Sequence, residues 1–210
     1  MKFSRLTFLT LILGVFIAVV SPTAQGAADE FGDGAHKFIR SLADQAMTSL
    51  TDKKLNEADR QSNFRKLLSE YFDVSSLGKW VLGRYWRRAS KVERAEYLNL
   101  FEDLIVGTYA NRFREYTTEM LSISNTTSLG NSAIVHSLME RKDDKGLRVD
   151  WRVKFPDGRY KIVDIMIEGV SMAQTQRSEF SSVIRRNGGK VSGLISALRG
   201  KTEKLLTQSN

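Results

Sequence analysis

His36 and His136 are the only histidines in the chain, and it contains no cysteine. Neither histidine lies in an HExxH run or at the spacing that lets two imidazoles share a zinc ion. Each reads as a surface or edge residue, and no metal centre is expected. Ser171 stands in Gly169-Val170-Ser171-Met172-Ala173, which lacks the second glycine of the strained elbow that presents a serine nucleophile. Its hydroxyl is better suited to capping the helix that follows. Gly188-Gly189-Lys190 is too short to cradle a phosphate. Asp164 and Glu168 could divide acid and base work if their surroundings separated their pKa values. Four residues apart on one strand, however, they would share a face at about 13 Å separation, too wide for one reacting bond. A tie from either acid to Arg177 or another base, holding sheet to helices, is the expected role. Asn125-Thr126-Thr127 fits a glycosylation acceptor, a pattern short enough to arise by chance. No catalytic residue and no cofactor is therefore predicted.

The elements that would position these residues are read from periodicity. Phe38, Ile39, Leu42, Ala46, Met47 and Leu50 recur at helical spacing and predict an amphipathic helix between Gly34 and Leu55. A second helix should carry Phe64, Leu67, Leu68 and Tyr71. A third, capped by Ser75 or Ser76, should carry Leu77, Trp80 and Val81 and end at Gly83, where a residue without a Cβ is favoured. Ser90 followed by Glu93 is a capping box, because each side chain can satisfy a backbone N–H of the first turn. The long helix it opens should reach Arg114, with Leu98, Phe101, Leu104, Ile105, Tyr109 and Phe113 on one broad apolar face.

Beyond Tyr116 the period falls to two. Leu147, Val149, Trp151, Val153 and Phe155 alternate with Arg148, Asp150, Arg152 and Lys154, as in a strand with one buried face. Pro156-Asp157-Gly158 supplies a turn, and Tyr160, Ile162, Ile165 and Ile167 form the returning strand. Val163 breaks its alternation and predicts a bulge or two-sided burial. Met120 to Leu129 and Ala133 to Met139 are expected as two earlier strands. At the end of the fourth, the apolar strand should run straight into a helix through Gly169. Gln174 to Arg186 and a stretch holding Val191, Leu194, Ile195, Leu198 and Leu205 are expected as the last helices. The fold class is α+β: a curved four-stranded antiparallel meander packed with several helices.

Lys2 and Arg5 precede the apolar stretch Leu6 to Val20, followed by Ser21-Pro22 and small residues to Ala28, the order of a secretory signal peptide. The apolar stretch falls short of the ~20 residues that a membrane-spanning helix needs. Cleavage is expected after Gly26 or Ala28, leaving residues 29–210 as one domain. It removes two bases and no acid, so the formal charge of +8 falls to +6. Export argues against a nucleic-acid partner. The basic residues Arg84, Arg87, Arg88, Lys91 and Arg94 alternate with Glu93 and Glu96, the pattern of a solvated face or of docking to an acidic partner or anionic headgroups.

Phe72-Asp73, Val81-Leu82-Gly83, Tyr85-Trp86, Ala89-Ser90, Phe101, Tyr109-Ala110, Asp164, and Glu168-Gly169-Val170-Ser171 with Arg177, Glu179 and Phe180 form a joint pattern. In it the chain resembles the toluene-tolerance, or MlaC, family of periplasmic phospholipid-binding proteins. Met172 to Arg177 with Asn187-Gly188-Gly189 are similar to a branch associated with hopanoid transport. The resemblance implies a nuclear-transport-factor-2-like core with helical additions. It also implies a monomeric shuttle that encloses a phospholipid or hopanoid and exchanges it with an inner-membrane ABC transporter complex and an outer-membrane lipoprotein complex. Such cargo needs a carrier, because two acyl chains at ~0.8 kcal/mol per methylene represent roughly 20 kcal/mol of gross transfer free energy.

On that reading the lipid-lining residues are Leu98, Phe101, Ile105, Tyr109 and Phe113 of the long helix and Val149, Trp151, Val153, Ile165 and Ile167 of the sheet. Trp80, Val81 and Met172 should stand near the opening, with Val170 and Phe180 completing the set. Val153→Arg is expected to abolish lipid binding while keeping the fold. Periodicity alone cannot separate an open pocket from a solid core. Two other classes therefore remain: a small enzyme on the same scaffold, for which no acid appears on the predicted apolar strand face, and an adaptor with a closed core.

Overall fold

The computed structural model describes residues 24–115, 121–141 and 144–207. Four helices lead: α1 (Ala24–Leu50), α2 (Glu57–Tyr71), α3 (Val74–Leu82) and α4 (Lys91–Tyr109). The strands β1 (Leu121–Ser128), β2 (Ser132–Arg141), β3 (Asp144–Lys154), β4 (Lys161–Ile167) and β5 (Val170–Ser171) follow, then α5 (Met172–Arg186) and α6 (Val191–Thr207). Every strand pairs antiparallel with its sequence neighbour, in the order β1-β2-β3-β4-β5. The α+β class and the meander are as expected. Residues 1–23, which hold most of the expected signal segment, and Met120 lie outside the described residues.

The fifth strand corrects the expected direct passage from strand to helix. Glu168 (φ 50°) and Gly169 (φ 80°) both adopt left-handed backbone, which reverses the chain in two residues, as right-twisted hairpins prefer. Val170 then pairs with Ile167 and Ser171 with Met166 before α5 begins. Val163 is the bulged residue, since Ile162 pairs with Val153 and Asp164 with Arg152.

The helix ends follow local chemistry, with one change. Ser90 and Glu93 form the capping box, Glu93 N–H donating to Ser90 Oγ at 3.2 Å and Ser90 N–H to Glu93 Oε2 at 2.8 Å. At α3 the cap is Asp73 in place of Ser75 or Ser76: its Oδ1 accepts from Ser76 N–H at 3.0 Å. An unshared carboxylate at the positive end of a helix is a better acceptor than a hydroxyl. α1 stops at Leu50, short of the expected Leu55. Its end and the following loop are gripped by the buried Arg60, which donates to the carbonyls of Leu50 (2.9 Å), Asp52 (3.0 Å) and Leu55 (3.1 Å).

Two apolar cores result. In the first, Ile39, Leu42 and Leu50 of α1 and Leu67 and Tyr71 of α2 lie over Ala133, Val135, Val153 and Ile162 of the sheet. In the second, α3 to α6 enclose Val81, Leu82, Tyr97, Phe101, Phe180, Ile184 and Leu194. Leu68, Val106 and Ala110 form a small third cluster that shares neighbours with both. α4 packs against α6 as well as α2 and α3, so Tyr97 and Val106 are buried along with Phe101 and Leu104. Its apolar positions are therefore not confined to one face, and Tyr109 remains 40% exposed. Arg65 of α2 forks to Glu102 and Asp103 of α4, both at 2.7 Å, and fixes those helices side by side.

Candidate functional site

Asp164, Glu168 and Ser171, the groups singled out for acid–base or nucleophilic chemistry, make structural hydrogen bonds. Asp164 accepts from Ser171 Oγ at 2.6 Å and from Ala173 N–H at 3.1 Å, while Ser171 Oγ caps α5 by accepting from Gln174 N–H at 3.0 Å. Glu168 accepts from the backbone N–H of Arg148 at 2.6 Å. Neither acid is tied to Arg177 as expected. That guanidinium lies 4.7 Å from the centre of the Trp80 ring, and Asp164 fastens the sheet to α5 through the helix start itself. His136 is not an edge residue. It stands on the outer face of β2, with Nδ1 2.9 Å from Asp150 and Nε2 3.0 Å from Thr127 Oγ1. The order hydroxyl–imidazole–carboxylate is that of a nucleophile and its base. Thr127, His136 and Asp150 line neither the cleft at the α2–α3 joint nor that beside Arg88 and Lys190, and the three cross-link neighbouring strands. No metal-binding cluster occurs among the described residues.

The inner face of the sheet differs from one end to the other. Alternation turns Ala133, Val135, Ser137 and Met139 of β2 inward with Val153, Trp151, Val149 and Leu147 of β3, and strand pairing adds Ile162, Ile165 and Ile167 of β4. Under α1 and α2, Ala133, Val135, Val153 and Ile162 are completely buried. Toward the β2–β3 turn, Met139, Leu147, Trp151, Ile165 and Ile167, with Leu121 and Ile123 of β1, are only half-buried. α1 crosses β1 and β2, and α2, α3 and α5 meet β4, but among the described residues no helix packs comparably along β3. Two polar side chains on this face are turned to one another: Trp151 Nε1–H donates to Ser137 Oγ at 2.9 Å, and Ser137 Oγ–H to the Val149 carbonyl at 2.7 Å, while Thr126 Oγ1, nearer α1, is buried without a partner among the described residues. The rest is mainly hydrocarbon and aromatic surface that the described residues do not cover completely.

The predicted lining residues divide between the two cores. Val81, Phe101 and Phe180 are buried in the helical core, with Leu98 and Ile105 packed at its margin. Val81 is 1% exposed, so of the three residues expected at an opening only Trp80, 44% exposed, and the half-buried Met172 reach the surface. Val153 belongs to the sheet core, with Trp151, Ile165 and Phe113 at its margin, and Val149 is buried beside them. Ile167 is half-buried, and Val170, beyond the hairpin turn, is exposed. Val153→Arg would therefore drive a charge into dry core and break the fold, so it cannot serve as a clean test. The β1 and β2 contributors Leu121, Ile123 and Met139 were not singled out from sequence. Their alternation with polar neighbours was the available signal.

A separate cleft of about 560 Å³ opens where the α2–α3 joint, α4 and the β3–β4 turn meet. Phe72, Val74 and Leu98 supply apolar wall, and Asp73, Glu102, Asp157, Arg159 and Lys161 make most of the rest polar. Of the predicted lining residues only Leu98 reaches it. Phe72 and Val74 also flank the small cluster between the two cores, so this cleft lies over the seam that joins them.

The family model described as MlaC protein matches residues 40–200, from within α1 to within α6. The chain belongs to the MlaC family. The match spans both cores and the whole sheet, so the MlaC pattern is carried by the fold and not by one motif. The intermembrane phospholipid transport system binding protein MlaC of Haemophilus influenzae is 21% identical over 192 residues, covering 87% of this chain and 86% of that protein. The toluene tolerance protein ttg2D of Pseudomonas putida is 20% identical over 164 residues, 74% of this chain and 76% of the relative. Among solved structures, a phospholipid-binding protein of Ralstonia solanacearum, determined in complex with a phospholipid, superposes with a TM-score of 0.72 at 19% identity. That match covers 82% of this chain and 98% of the other, so the two share the fold.

Proposed function

We propose that this MlaC-family protein is a periplasmic carrier that holds a phospholipid by its acyl chains, without covalent chemistry, and moves it between membranes. The observation that carries the reading is the half-covered inner face of the sheet, where Met139, Leu147, Trp151, Ile165 and Ile167 line an apolar wall and the Trp151 and Ser137 side chains spend their donors within it. The names of the Haemophilus and Ralstonia relatives support phospholipid as the cargo. The acyl chains lie between this wall and the helices, and the buried lining residues of the helical core, Val81, Phe101 and Phe180, would join the site as the two cores part along the Leu68–Val106–Ala110 seam. The chain is exported by a leading segment removed near Gly26 or Ala28, acts as a monomer, and exchanges cargo with an inner-membrane ABC transporter complex and an outer-membrane lipoprotein complex.

The test is extraction of the purified protein with organic solvent and mass spectrometry of what is released. Phospholipid near one per protein is the expected result. Hopanoid would reassign the cargo to the related branch, and an empty extract would overturn the carrier reading. Ile167→Arg places a charge on the half-buried rim of the wall, where the guanidinium can still reach water. It should reduce bound lipid several-fold while leaving the far-UV circular dichroism spectrum unchanged. Undiminished lipid content would remove this wall from the site.

A further inference from the structure

A second surface, on the side where α3 and α5 meet, concentrates positive charge around aromatic rings. Arg177 lies over Trp80, 4.7 Å from its ring centre, and donates to the Trp80 carbonyl at 3.3 Å. One turn on, Arg84 donates to the Tyr85 hydroxyl at 3.1 Å, and its guanidinium stands 5.0 Å from the ring centre, with that of Arg88 at 5.8 Å. The hydrogen bond from Arg84 holds the Tyr85 phenol below its ordinary pKa, and the charges of Arg185 and Arg88 act in the same direction. One guanidinium thus bonds the Tyr85 hydroxyl and a second stands over its ring, with the charge of Arg185 acting on the same phenol.

None of Arg84, Arg88, Arg177 and Arg185 is in an ion pair among the described residues, unlike Arg65, Arg148 and Arg199 elsewhere on the molecule. The nearby acid Glu93 already accepts the Ser90 N–H of its capping box. Beyond Arg88 the charge continues to Lys190, and both line a cleft of about 340 Å³ that Glu93 also borders. Trp80 presents 44% of its surface to solvent within this cluster.

We propose that this face adsorbs to anionic bilayers, with Arg84, Arg88 and Arg185 contacting lipid phosphates and Trp80 seated at the level of the headgroups. Guanidinium groups match phosphate oxygens in fork geometry, and indole rings favour the interface between hydrocarbon and water. A bilayer is favoured over an acidic protein because the cations are spread around single exposed apolar residues, Trp80 and, beside the Arg88–Glu93 cleft, Val92, where a protein interface would centre on a contiguous apolar patch. The inference is independent of the lipid-carrying wall, which lies on the inner face of the sheet.

The test is co-sedimentation of the purified protein with vesicles of phosphatidylcholine alone and of equal parts phosphatidylcholine and phosphatidylglycerol. Binding should require the anionic lipid and fall steeply with added salt. At about fivefold per basic side chain, the triple variant Arg84→Gln, Arg88→Gln, Arg185→Gln should bind on the order of a hundredfold more weakly. Lys37→Gln, Arg40→Gln, Lys53→Gln removes equal charge from α1 and its following loop, and should bind far better than the first triple. Tryptophan emission should shift to the blue on vesicle binding, and Trp80→Phe should lose that shift. Equal loss in both triples would reduce the effect to net charge and overturn the proposal. So would vesicle binding that survives in the first triple, or a blue shift that survives in Trp80→Phe. An acidic protein partner that binds the wild type but not the first triple, with no vesicle binding by either, would replace the bilayer as the occupant.

Discussion

Arg60 shows how much one side chain can carry. It is 2% exposed, and its guanidinium closes the end of α1 by donating to the Leu50 and Leu55 carbonyls and adding a second donor to that of Asp52, which also accepts from Leu55 N–H. Arg60→Ala removes the donor to the Leu50 and Leu55 carbonyls and should cost about 2–4 kcal/mol of folding stability. Arg60→Lys should recover only part of this, since an ammonium cannot reproduce the planar fork. Urea denaturation of the three proteins measures the difference, and equal midpoints would deny Arg60 this role. Tyr97 is the apolar counterpart: buried in the helical core, it donates to the Gly78 carbonyl at 2.9 Å, and burial raises its pKa far above the usual phenol value. Composition did not announce either residue. A lone arginine in a polar helix looks solvated until the loop it grips is known, and Tyr97, one turn before Phe101 on the same side of α4, was not counted in the apolar face.

At the scale of elements, the hairpin at Glu168-Gly169 sets where α5 begins and so where Asp164 meets Ser171. A β-branched residue cannot adopt Gly169's positive φ without strain, and a Cβ there would meet the Arg148 guanidinium at 3.1 Å. Gly169→Val should therefore destabilise by about 1–3 kcal/mol, and Gly169→Asn by less, because asparagine tolerates left-handed backbone. Guanidinium melts of both would read this, and an unaffected Gly169→Val would show the turn to be dispensable. Much of the element plan was legible: the capping box at Ser90, the glycine that ends α3, the Val163 bulge and the alternation of β3 all arise from contacts within a few residues. The two-residue β5 was not. Val170-Ser171 is too short to display a period, and only the paired positive φ angles before it force the return. The Asp73 cap was missed for a similar reason, since two serines beside it offered weaker versions of the same chemistry.

Across the whole molecule, the candidate site was half legible. Sequence pointed to the inner sheet positions and to the long helix, but treated them as one lining. The folded chain separates them into a sheet core under α1 and α2 and a helical core of α3 to α6, joined through Leu68, Val106 and Ala110. No periodicity distinguishes residues that pack against each other from residues that await a guest. Cargo that fills the incomplete layer should stabilise the fold by linkage, about 2.7 kcal/mol for a ligand at a hundred times its Kd. For a domain of this size, stripping the lipid should lower Tm by about 5–10 °C. Calorimetry before and after delipidation measures this, and an unchanged transition would mean that the bound lipid lies outside the folding unit.

The inward turn of the Trp151 indole carries one more consequence. With its N–H spent on Ser137, the indole shows this face only ring carbon, so a tail lying against it would be held by contact area and by no directed bond. Contact of that kind is non-directional, and tails of differing saturation would be accepted alike.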